Sequence, residues 1–249
     1  MENHKILLGN LELYECRIIE RTGLFTVRVD FNGVHRVVYI NNTGRLPGIL
    51  VEKRKCYCVK TRRGKLEYKL IGVERGEHSS LIDTRLQEEA FITAQKLGYI
   101  NWLKNHVLVK RNIKISSEII DFAFKHGNKL TLVELKSAVM ELPGNYTGYP
   151  DAPTPRGRRQ IKTLADYASQ GGEAIVVFIA GVPNARGFQL YCCVDEEIGN
   201  VVKYAVEKGV LFKALNIYLD PKLRGIILGE TDLPVKTQCY TCLLYTSPS

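Results

Sequence analysis

Residues 119–159 read IIDFAFKHGNKLTLVELKSAVMELPGNYTGYPDAPTPRGRR, and this stretch decides the fold of the second half of the chain. Two apolar runs flank the Gly-Asn pair at residues 127–128, a pair typical of a two-residue hairpin turn. This turn places Asp121 directly opposite Glu134, and strand alternation puts Lys136 on the same face. Two carboxylates in cross-strand positions repel each other, because their Cβ atoms are only about 4.5–5.5 Å apart. The hairpin therefore predicts an acidic pair beside a lysine, which needs a cation or a function.

The opposite face of this hairpin is apolar. We expect five of its side chains to enter a core: Ile120, Phe122, Phe124, Val133 and Leu135. Buried surroundings favour a functional cluster, but a set of salt bridges on a solvated sheet face is the alternative, since the pattern D…ExK is common by chance.

Composition indicates a globular protein with a basic front half. The chain has 249 residues, of which 45% are hydrophobic and 24% charged, and its net charge is +9. Residues 1–78 carry 15 Lys/Arg against 9 Asp/Glu, and residues 79–249 carry 20 against 17. This asymmetry favours a polyanion partner held mainly by the front half.

The sequence shows neither a signal peptide nor an apolar run of about 18 residues, the length that a membrane helix needs. We therefore expect a cytoplasmic protein with no membrane association. The seven cysteines are an odd number, which argues against a disulfide framework. Cys239 and Cys242 resemble a metal or redox pair, but no second ligand pair has suitable spacing. Residues 242–249, CLLYTSPS, match a translated sequencing adapter, and we interpret them as an artefact.

The front half, residues 1–78, is predicted to be a five-stranded OB-fold barrel. Apolar and polar residues alternate over residues 13–21 and 24–31, and further strands are expected over residues 34–40, 49–60 and 66–73, separated by turns and a loop. Such barrels combine a basic groove with aromatic side chains to bind nucleic acids, and Arg36 and Lys60 are candidate contacts. In the loop 41–48, Thr43 and Arg45 could reach a phosphate. The alternatives are core aromatics, a solvated charged face and an ordinary surface turn.

The back half, residues 79–238, is predicted to be a mixed sheet with helices packed on it, of the α/β or α+β class. Residues 76–79 are interpreted as a linker, and a helix is expected from Ser80, with Asp83 as its capping-box partner, to Lys96. Residues 141–155 are expected to be loop, and residues 174–180, AIVVFIA, a buried strand.

The next helix is expected to begin after Thr154 with an unusually basic first turn, since cations are unfavourable at a helix N-terminus. We expect an anion to be held there. The candidate phosphate contacts are Arg156, Arg158, Arg159 and Gln160.

The acidic pair suits a hard divalent cation, Mg²⁺ or Mn²⁺, because such ions take one or two carboxylates and complete their shell with water and substrate phosphate. The predicted metal ligands are Asp121 and Glu134, together with Glu88 or Glu89 from the preceding helix. Lys136 would position the attacking water or stabilise developing negative charge. The predicted catalytic residues are therefore Asp121, Glu134 and Lys136.

The chain also resembles the sugar fermentation stimulation protein A family, of an archaeal type, over residues 6–236. The most specific motif is YPDAPTPRGRRQ at residues 149–160, and NTGRL, LIDT, IDF, VELKSAV and VVFIA support it. The resemblance implies an N-terminal OB-fold, a C-terminal domain of the PD-(D/E)xK nuclease type, DNA binding of low sequence specificity and metal-dependent nuclease activity. It assigns Asp121, Glu134 and Lys136 to the nuclease core and makes Asp151, within the motif, a supporting loop residue. Many members have His where this chain has Gln160.

We expect nucleic acid, first of all DNA, as the partner, and a homodimer stays open. The main hypothesis is a Mg²⁺-dependent nuclease, and the alternative is a non-catalytic DNA-binding transcriptional regulator of sugar metabolism on a nuclease scaffold. A small-molecule enzyme fits less well, because no Gly-rich phosphate cradle or cofactor fingerprint is present.

Overall fold

The front half folds as the predicted closed barrel. The computed structural model describes residues 5–61 and 64–240. β1 (Lys5–Leu8) pairs with Gly225–Leu228 of the back half and lies outside the barrel. The barrel strands are β2 (Tyr14–Gly23), β3 (Thr26–Phe31), β4 (Val34–Tyr39), β5 (Lys55–Lys60) and β6 (Tyr68–Arg75). Antiparallel pairing gives the order β4-β3-β2-β5-β6, and a parallel contact between β4 and β6 closes the barrel. The alternating apolar side chains fill its interior, with Ile18, Val27, Val29 and Val38 fully buried.

The back half is the predicted mixed sheet, covered on both faces by helices. Its helices are α1 (Thr84–Lys96), α2 (Pro155–Ser169) and α3 (Glu197–Glu207). Its strands are β7 (His78–Leu81), β8 (Val107–Ile115), β9 (Glu118–His126), β10 (Lys129–Ala138), β11 (Met140–Leu142), β12 (Tyr146–Tyr149), β13 (Glu173–Ala180), β14 (Gly187–Leu190), β15 (Leu211–Asp220), β16 (Gly225–Leu228) and β17 (Val235–Lys236). The order is β7-β15-β13-β10-β9-β8, with parallel pairs around β13. Helix α1 packs on one face, and α2 and α3 pack on the other.

Barrel and mixed sheet are one continuous sheet. Strand β7 pairs with β6 of the barrel and with β15 of the back half. The linker predicted at residues 76–79 is therefore wrong: this segment is a tight turn followed by β7. Its polarity is misleading, because Ser79 and Ser80 are buried.

The hairpin of β9 and β10 has the register that its turn predicts. Paired residues run from His126 and Lys129 to Phe122 and Val133, and the ladder ends before Asp121. Ile120 lies in the core under α2, whereas Phe122 packs in the core under α1. The expected single apolar face is thus wrong at Ile120, because the strand changes the face it presents around Asp121.

Two further predictions of elements need correction. Helix α1 begins at Thr84 rather than near Ser80, because Asp83 is its N-cap and accepts a hydrogen bond from the Leu86 amide (2.8 Å). Residues 141–155 are not all loop. They contain the end of β11 and all of β12, which pair in a small second sheet of order β11-β12-β14-β17.

A disulfide joins Cys192 to Cys239, contrary to the argument from the cysteine count. The pairing of β14 with β17 brings these distant segments together, and a count cannot show that proximity. The three cysteines of the barrel, Cys16, Cys56 and Cys58, are buried free thiols. The proposed artefact at residues 242–249 lies outside the described residues. In the part of the chain that is described, no helix is long and apolar enough to cross a membrane.

Candidate metal and nucleic-acid site

A cleft of about 460 Å³ lies where the ladder between β9 and β10 ends. Its walls are formed by the loop 41–48 of the barrel, called the barrel loop below, together with α1, β10 and the start of α2. Its polar lining comprises Asn41, Asn42, Thr43, Thr84, Gln87, Glu88, Asp121, Glu134, Lys136, Ser137, Tyr149, Asp151, Thr154, Arg156 and Gln160. The structure therefore brings the three predicted catalytic residues into one cavity.

Asp121 and Glu134 bridge the gap that the interrupted ladder leaves. The Asp121 carboxylate accepts a hydrogen bond from the backbone amide of Leu135 (2.8 Å), and the Glu134 carboxylate accepts one from the amide of Asp121 (3.2 Å). The Lys136 Nζ donates to Glu134 Oε1 at 2.6 Å. Carboxylates thus accept the backbone N–H groups that the missing ladder pairs would have satisfied. Both Asp121 and Glu134 line the cleft at this point.

These charged groups are deeply buried. Glu134 is 2% exposed and Lys136 is 7% exposed. Burial raises the pKa of Glu134 to about 7, against the opposing effect of Lys136, and burial also raises the pKa of Asp121. For Lys136, burial lowers the pKa, but Glu134, Tyr149 and Asp121 together outweigh burial and the net pKa is raised. A cation bound between the carboxylates would favour their ionised forms and so lower the pKa values that burial raises.

Gln160 holds Lys136 from the other side. Its amide oxygen accepts from Lys136 Nζ (2.7 Å), and its amide nitrogen donates to the carbonyl of Ile119 (2.8 Å). Gln160 is 3% exposed. The expected phosphate contact by Gln160 is therefore wrong, because both ends of its amide are engaged inside the protein.

Helix α1 contributes Glu88 and not Glu89 to the cleft. Glu88 lines the cavity, whereas Glu89 is exposed. Burial raises the pKa of Glu88, while Arg111 and Arg85 lower it and Glu134 raises it, so all of these charges lie near one another. Sequence reasoning missed both arginines. Arg85 stands one helical turn before Glu88, which is a usable signal, but Arg111 comes from β8, which no local spacing relates to α1.

The donor set fits a hard divalent cation that keeps several waters. Within residues 5–61 and 64–240, no three or more His, Cys, Asp or Glu side chains are gathered as a preformed metal cluster. Asp121 and Glu134 offer carboxylate oxygens, and Mg²⁺ commonly binds through one or two carboxylates plus substrate phosphate. A closed structural site of the zinc type does not fit these ligands.

The anion expected at the start of α2 belongs to the protein itself. Asp195 accepts from the backbone amide of Thr154 (2.7 Å) and pairs with Arg158, which also pairs with Glu197 at 2.8 Å. Because these carboxylates engage it, Arg158 is not available as the predicted phosphate contact.

The other arginines of this turn differ in position. Arg159 pairs with Glu118 at 2.7 Å and lines a separate cavity of about 360 Å³. Arg156 lines the main cleft. Of the three predicted arginines, the structure therefore brings only Arg156 to the carboxylates.

Asp151 holds the barrel loop against the cleft. Its carboxylate accepts from the amide of Leu46 (2.9 Å) and lies so close to Gly44 that a side chain there would collide with it. Thr43 lines the cleft, and Arg45 lines an adjoining groove. The loop thus carries groups from the barrel to the buried carboxylates.

Comparison with known proteins agrees with this architecture. A family model described as the sugar fermentation stimulation protein RE domain matches residues 82–223, and one described as the SfsA N-terminal OB domain matches residues 19–82. The chain belongs to the sugar fermentation stimulation protein family.

Two similar members of this family come from archaea, as the resemblance implies. A sugar fermentation stimulation protein homolog of Archaeoglobus fulgidus is 38% identical over 89% of this chain and 94% of its own length. The Pyrococcus furiosus homolog is 33% identical over 90% and 96%. The structure of Pyrococcus furiosus SfsA in complex with Ca²⁺ has a TM-score of 0.89 and 32% identity, and the match covers 93% of this chain and 99% of that one.

In this family member, the two contacts predicted on the barrel surface do not line the cleft. Arg36 lies 3.7 Å from Glu67, and both side chains are exposed. The Lys60 ammonium lies 5.3 Å from the centroid of the Tyr14 ring. These two residues belong to the outer face of the barrel, and any role they have in binding is separate from the carboxylate cleft.

Proposed function

We propose that this protein is a divalent-metal-dependent nuclease that binds DNA with low sequence specificity. One observation carries the proposal: Asp121, Glu134 and Lys136 meet and are hydrogen-bonded in a single cleft, and Glu134 and Lys136 are buried there although burial opposes their charges. Charged groups that are held in place against the cost of burial are typical of active sites. The Ca²⁺ in the structure of Pyrococcus furiosus SfsA supports a divalent cation in this chain.

In the proposed reaction, Asp121 and Glu134 hold Mg²⁺ or Mn²⁺, and Glu88 stands at the cleft as the further carboxylate. A bound divalent cation supplies an activated water and neutralises charge on the phosphoryl group. Lys136, held in place by Gln160, directs its ammonium protons toward the attacking water or the developing negative charge.

Phosphate binding is assigned to basic groups around the cleft. Arg156 lines it, Arg85 and Arg111 lie near Glu88, and the barrel loop adds the Thr43 hydroxyl in the cleft and Arg45 in the adjoining groove. Contacts of this kind read the backbone and carry little sequence information, which suits binding of low specificity. In this proposal the barrel, residues 1–78, binds DNA and the second domain, residues 79–238, hydrolyses its phosphodiester bonds.

Cleavage assays test this function. DNA and RNA are incubated with the protein in Mg²⁺, in Mn²⁺ and in chelator. Removing a group that acts on the reacting phosphate costs about 10²–10³ in rate, so Glu134→Ala and Asp121→Ala are expected to abolish metal-dependent cleavage. Glu89→Gln, an exposed neighbour of Glu88, is the matched control and is expected to be fully active. Cleavage that survives Glu134→Ala would show that the proposed site is wrong.

One observation favours a second candidate, a DNA-binding regulator without catalysis on the same scaffold. The Lys136 ammonium already forms an ion pair with the Glu134 carboxylate (Nζ to Oε1, 2.6 Å), and the described residues contain no preformed cluster of three metal ligands. This alternative predicts salt-sensitive DNA binding that Glu134→Ala leaves unchanged or improves, with no cleavage in either metal.

A further inference from the structure

The turn between β2 and β3 presents two large apolar side chains to solvent. Leu24 is 56% exposed and Phe25 is 46% exposed. The ring of Phe25 stacks on Tyr39, with centroids 6.4 Å apart and planes inclined by 22°. A single exposed leucine needs no explanation, but an adjacent pair backed by a second aromatic ring forms a small apolar platform.

Arg21 makes this platform rigid and joins it to the cleft loop. Its guanidinium donates to the carbonyls of Leu24 (2.8 Å) and Gly23 (3.2 Å) on the turn. It also donates to the carbonyls of Asn42 (3.0 Å) and Gly44 on the loop. The turn and the loop are therefore held as one unit, so that little conformational entropy is lost when a ligand binds there.

The Leu24 end of the platform adjoins a groove that leads to the carboxylate cleft. An open groove of about 480 Å³ runs beside Leu24 and shares Thr43 and Gly44 with the cleft. Arg45 lines the same groove, and among the described residues it has no ion-pair partner. Arg45, a cation for a phosphate, and Leu24 thus line one path from the site of chemistry, and Phe25 follows Leu24 directly in the turn, beside the groove's lining.

We propose that Leu24 and Phe25 form a subsite that stacks on unpaired bases of the DNA strand whose phosphodiester lies in the cleft. The proposal rests on the proposed nuclease function and names its substrate class: DNA that is single-stranded next to the bond to be cut. A continuous duplex keeps its bases stacked on one another and offers no free π-face to Phe25, whereas aromatic side chains on small barrels bind the faces of unpaired bases.

Binding to fluorescent oligonucleotides tests this subsite. The probe is a single strand of about 12 nucleotides, within the range that one OB-fold covers. It carries 2-aminopurine, and a duplex of the same sequence serves as the comparison. Ca²⁺ replaces Mg²⁺, in the Glu134→Gln background, so that binding is measured without cleavage. Phe25→Ala is expected to weaken single-strand binding about 5- to 100-fold, to abolish the quenching of 2-aminopurine and to leave duplex binding unchanged.

Two further variants separate stacking from general damage. Phe25→Trp keeps an aromatic face and is expected to restore both affinity and quenching. Leu24→Ala is expected to weaken single-strand binding, whereas Leu97→Ala, at an equally exposed leucine (54%) on the end of α1, is expected to have no effect.

The outcomes distinguish this inference from the function on which it rests. Equal losses on single strand and duplex, or no loss with Phe25→Ala, would overturn the subsite even if the wild-type protein cleaves DNA. A Phe25-dependent preference for single strands without any cleavage would overturn the nuclease and keep the subsite. A wild-type protein that binds neither probe would overturn both.

Discussion

Glu134 is the residue at which burial and charge conflict most strongly. Its pKa is raised from the ordinary value of 4.5 to about 7, because the folded protein disfavours the carboxylate. The folded state therefore binds a proton that the unfolded state has already released. The stabilising contribution is complete below pH 4.5 and is lost as the pH rises through about 7.

We therefore expect Glu134→Gln, which mimics the protonated acid, to gain stability relative to the wild-type protein as the pH rises. Denaturant unfolding of both proteins in chelator, at about one pH unit below and above 7, measures the difference, since one unit of pKa shift corresponds to about 1.4 kcal/mol. Glu89→Gln, at an exposed glutamate, should track the wild-type protein at every pH. A difference that does not change with pH would contradict the raised pKa.

Gln160 links Lys136 to the backbone of β9 and so acts as a positioning residue. Gln160→Leu keeps the approximate volume but removes the acceptor for Lys136 and the donor to Ile119. An unsatisfied buried polar group costs about 1–3 kcal/mol, so the variant should be less stable. The effect on cleavage should be on kcat more than on KM, since Lys136 is assigned to the transition state.

Gln160→His tests whether hydrogen bonding to Lys136 is the cause. An imidazole nitrogen can accept from the ammonium, so we expect this variant to recover most of the kcat that Gln160→Leu loses. Steady-state kinetics, corrected for the folded fraction of each variant, compare the kcat values of Gln160→His and Gln160→Leu. If both variants lose kcat equally, the role of Gln160 is packing and not the orientation of Lys136.

At the scale of elements, the start of α2 is stabilised by Asp195. Asp195 is 6% exposed and is held by Arg158 and the Thr154 amide. Breaking a buried pair costs about 3–5 kcal/mol, and Asp195→Ala should fall at the lower end because Arg158 keeps partial exposure. Asp232→Ala breaks the exposed pair with Lys213 and should cost less than about 1 kcal/mol.

Urea unfolding of the two variants provides this comparison. Arg158→Met should likewise lower stability without reducing the salt dependence of DNA binding. The slope of log affinity against log salt concentration counts the phosphates that the protein contacts. If this slope decreases by about one in Arg158→Met, Arg158 contacts a phosphate and the assignment here is wrong.

The elements show what local sequence can and cannot predict. The register of β9 and β10 follows from two turn residues, and that register brings Asp121 near Glu134 without long-range information. Strand β7 is invisible to the same reasoning, because Ser79 and Ser80 are polar yet buried. The basic turn of α2 indicates an anion, but the anion that lies there is Asp195, about 40 residues away in the chain, which the local sequence cannot show.

At the scale of the whole molecule, β7 makes the two halves one structure. A side chain on Gly72 of the barrel would collide with the side chain of Leu219 of β15, so Leu219 packs directly on the barrel backbone at this junction. Leu219 also pairs with Ser79 of β7. The cleft depends on this junction, because the barrel supplies its loop and the mixed sheet supplies its carboxylates.

We therefore expect the barrel and the mixed sheet to unfold in one transition, and the chain provides a reporter for each. Trp102, the one tryptophan of the sequence, packs on Phe91 and donates to the carbonyl of Thr231 in the back half. Cys16, Cys56 and Cys58 are buried free thiols inside the barrel and become reactive when it opens. Tryptophan fluorescence and thiol labelling mapped to these three cysteines should give the same denaturant midpoint, since coincident probes indicate two-state unfolding.

A divalent cation that binds only the folded protein should raise both midpoints together, and Glu134→Ala should remove that shift. Glu89→Gln, which leaves the cleft intact, should retain it. If the cysteines react at a lower denaturant concentration than the one at which Trp102 changes, the barrel opens independently. The shared sheet would then fail to couple the loop that carries Thr43 and Arg45 to the carboxylates beneath it.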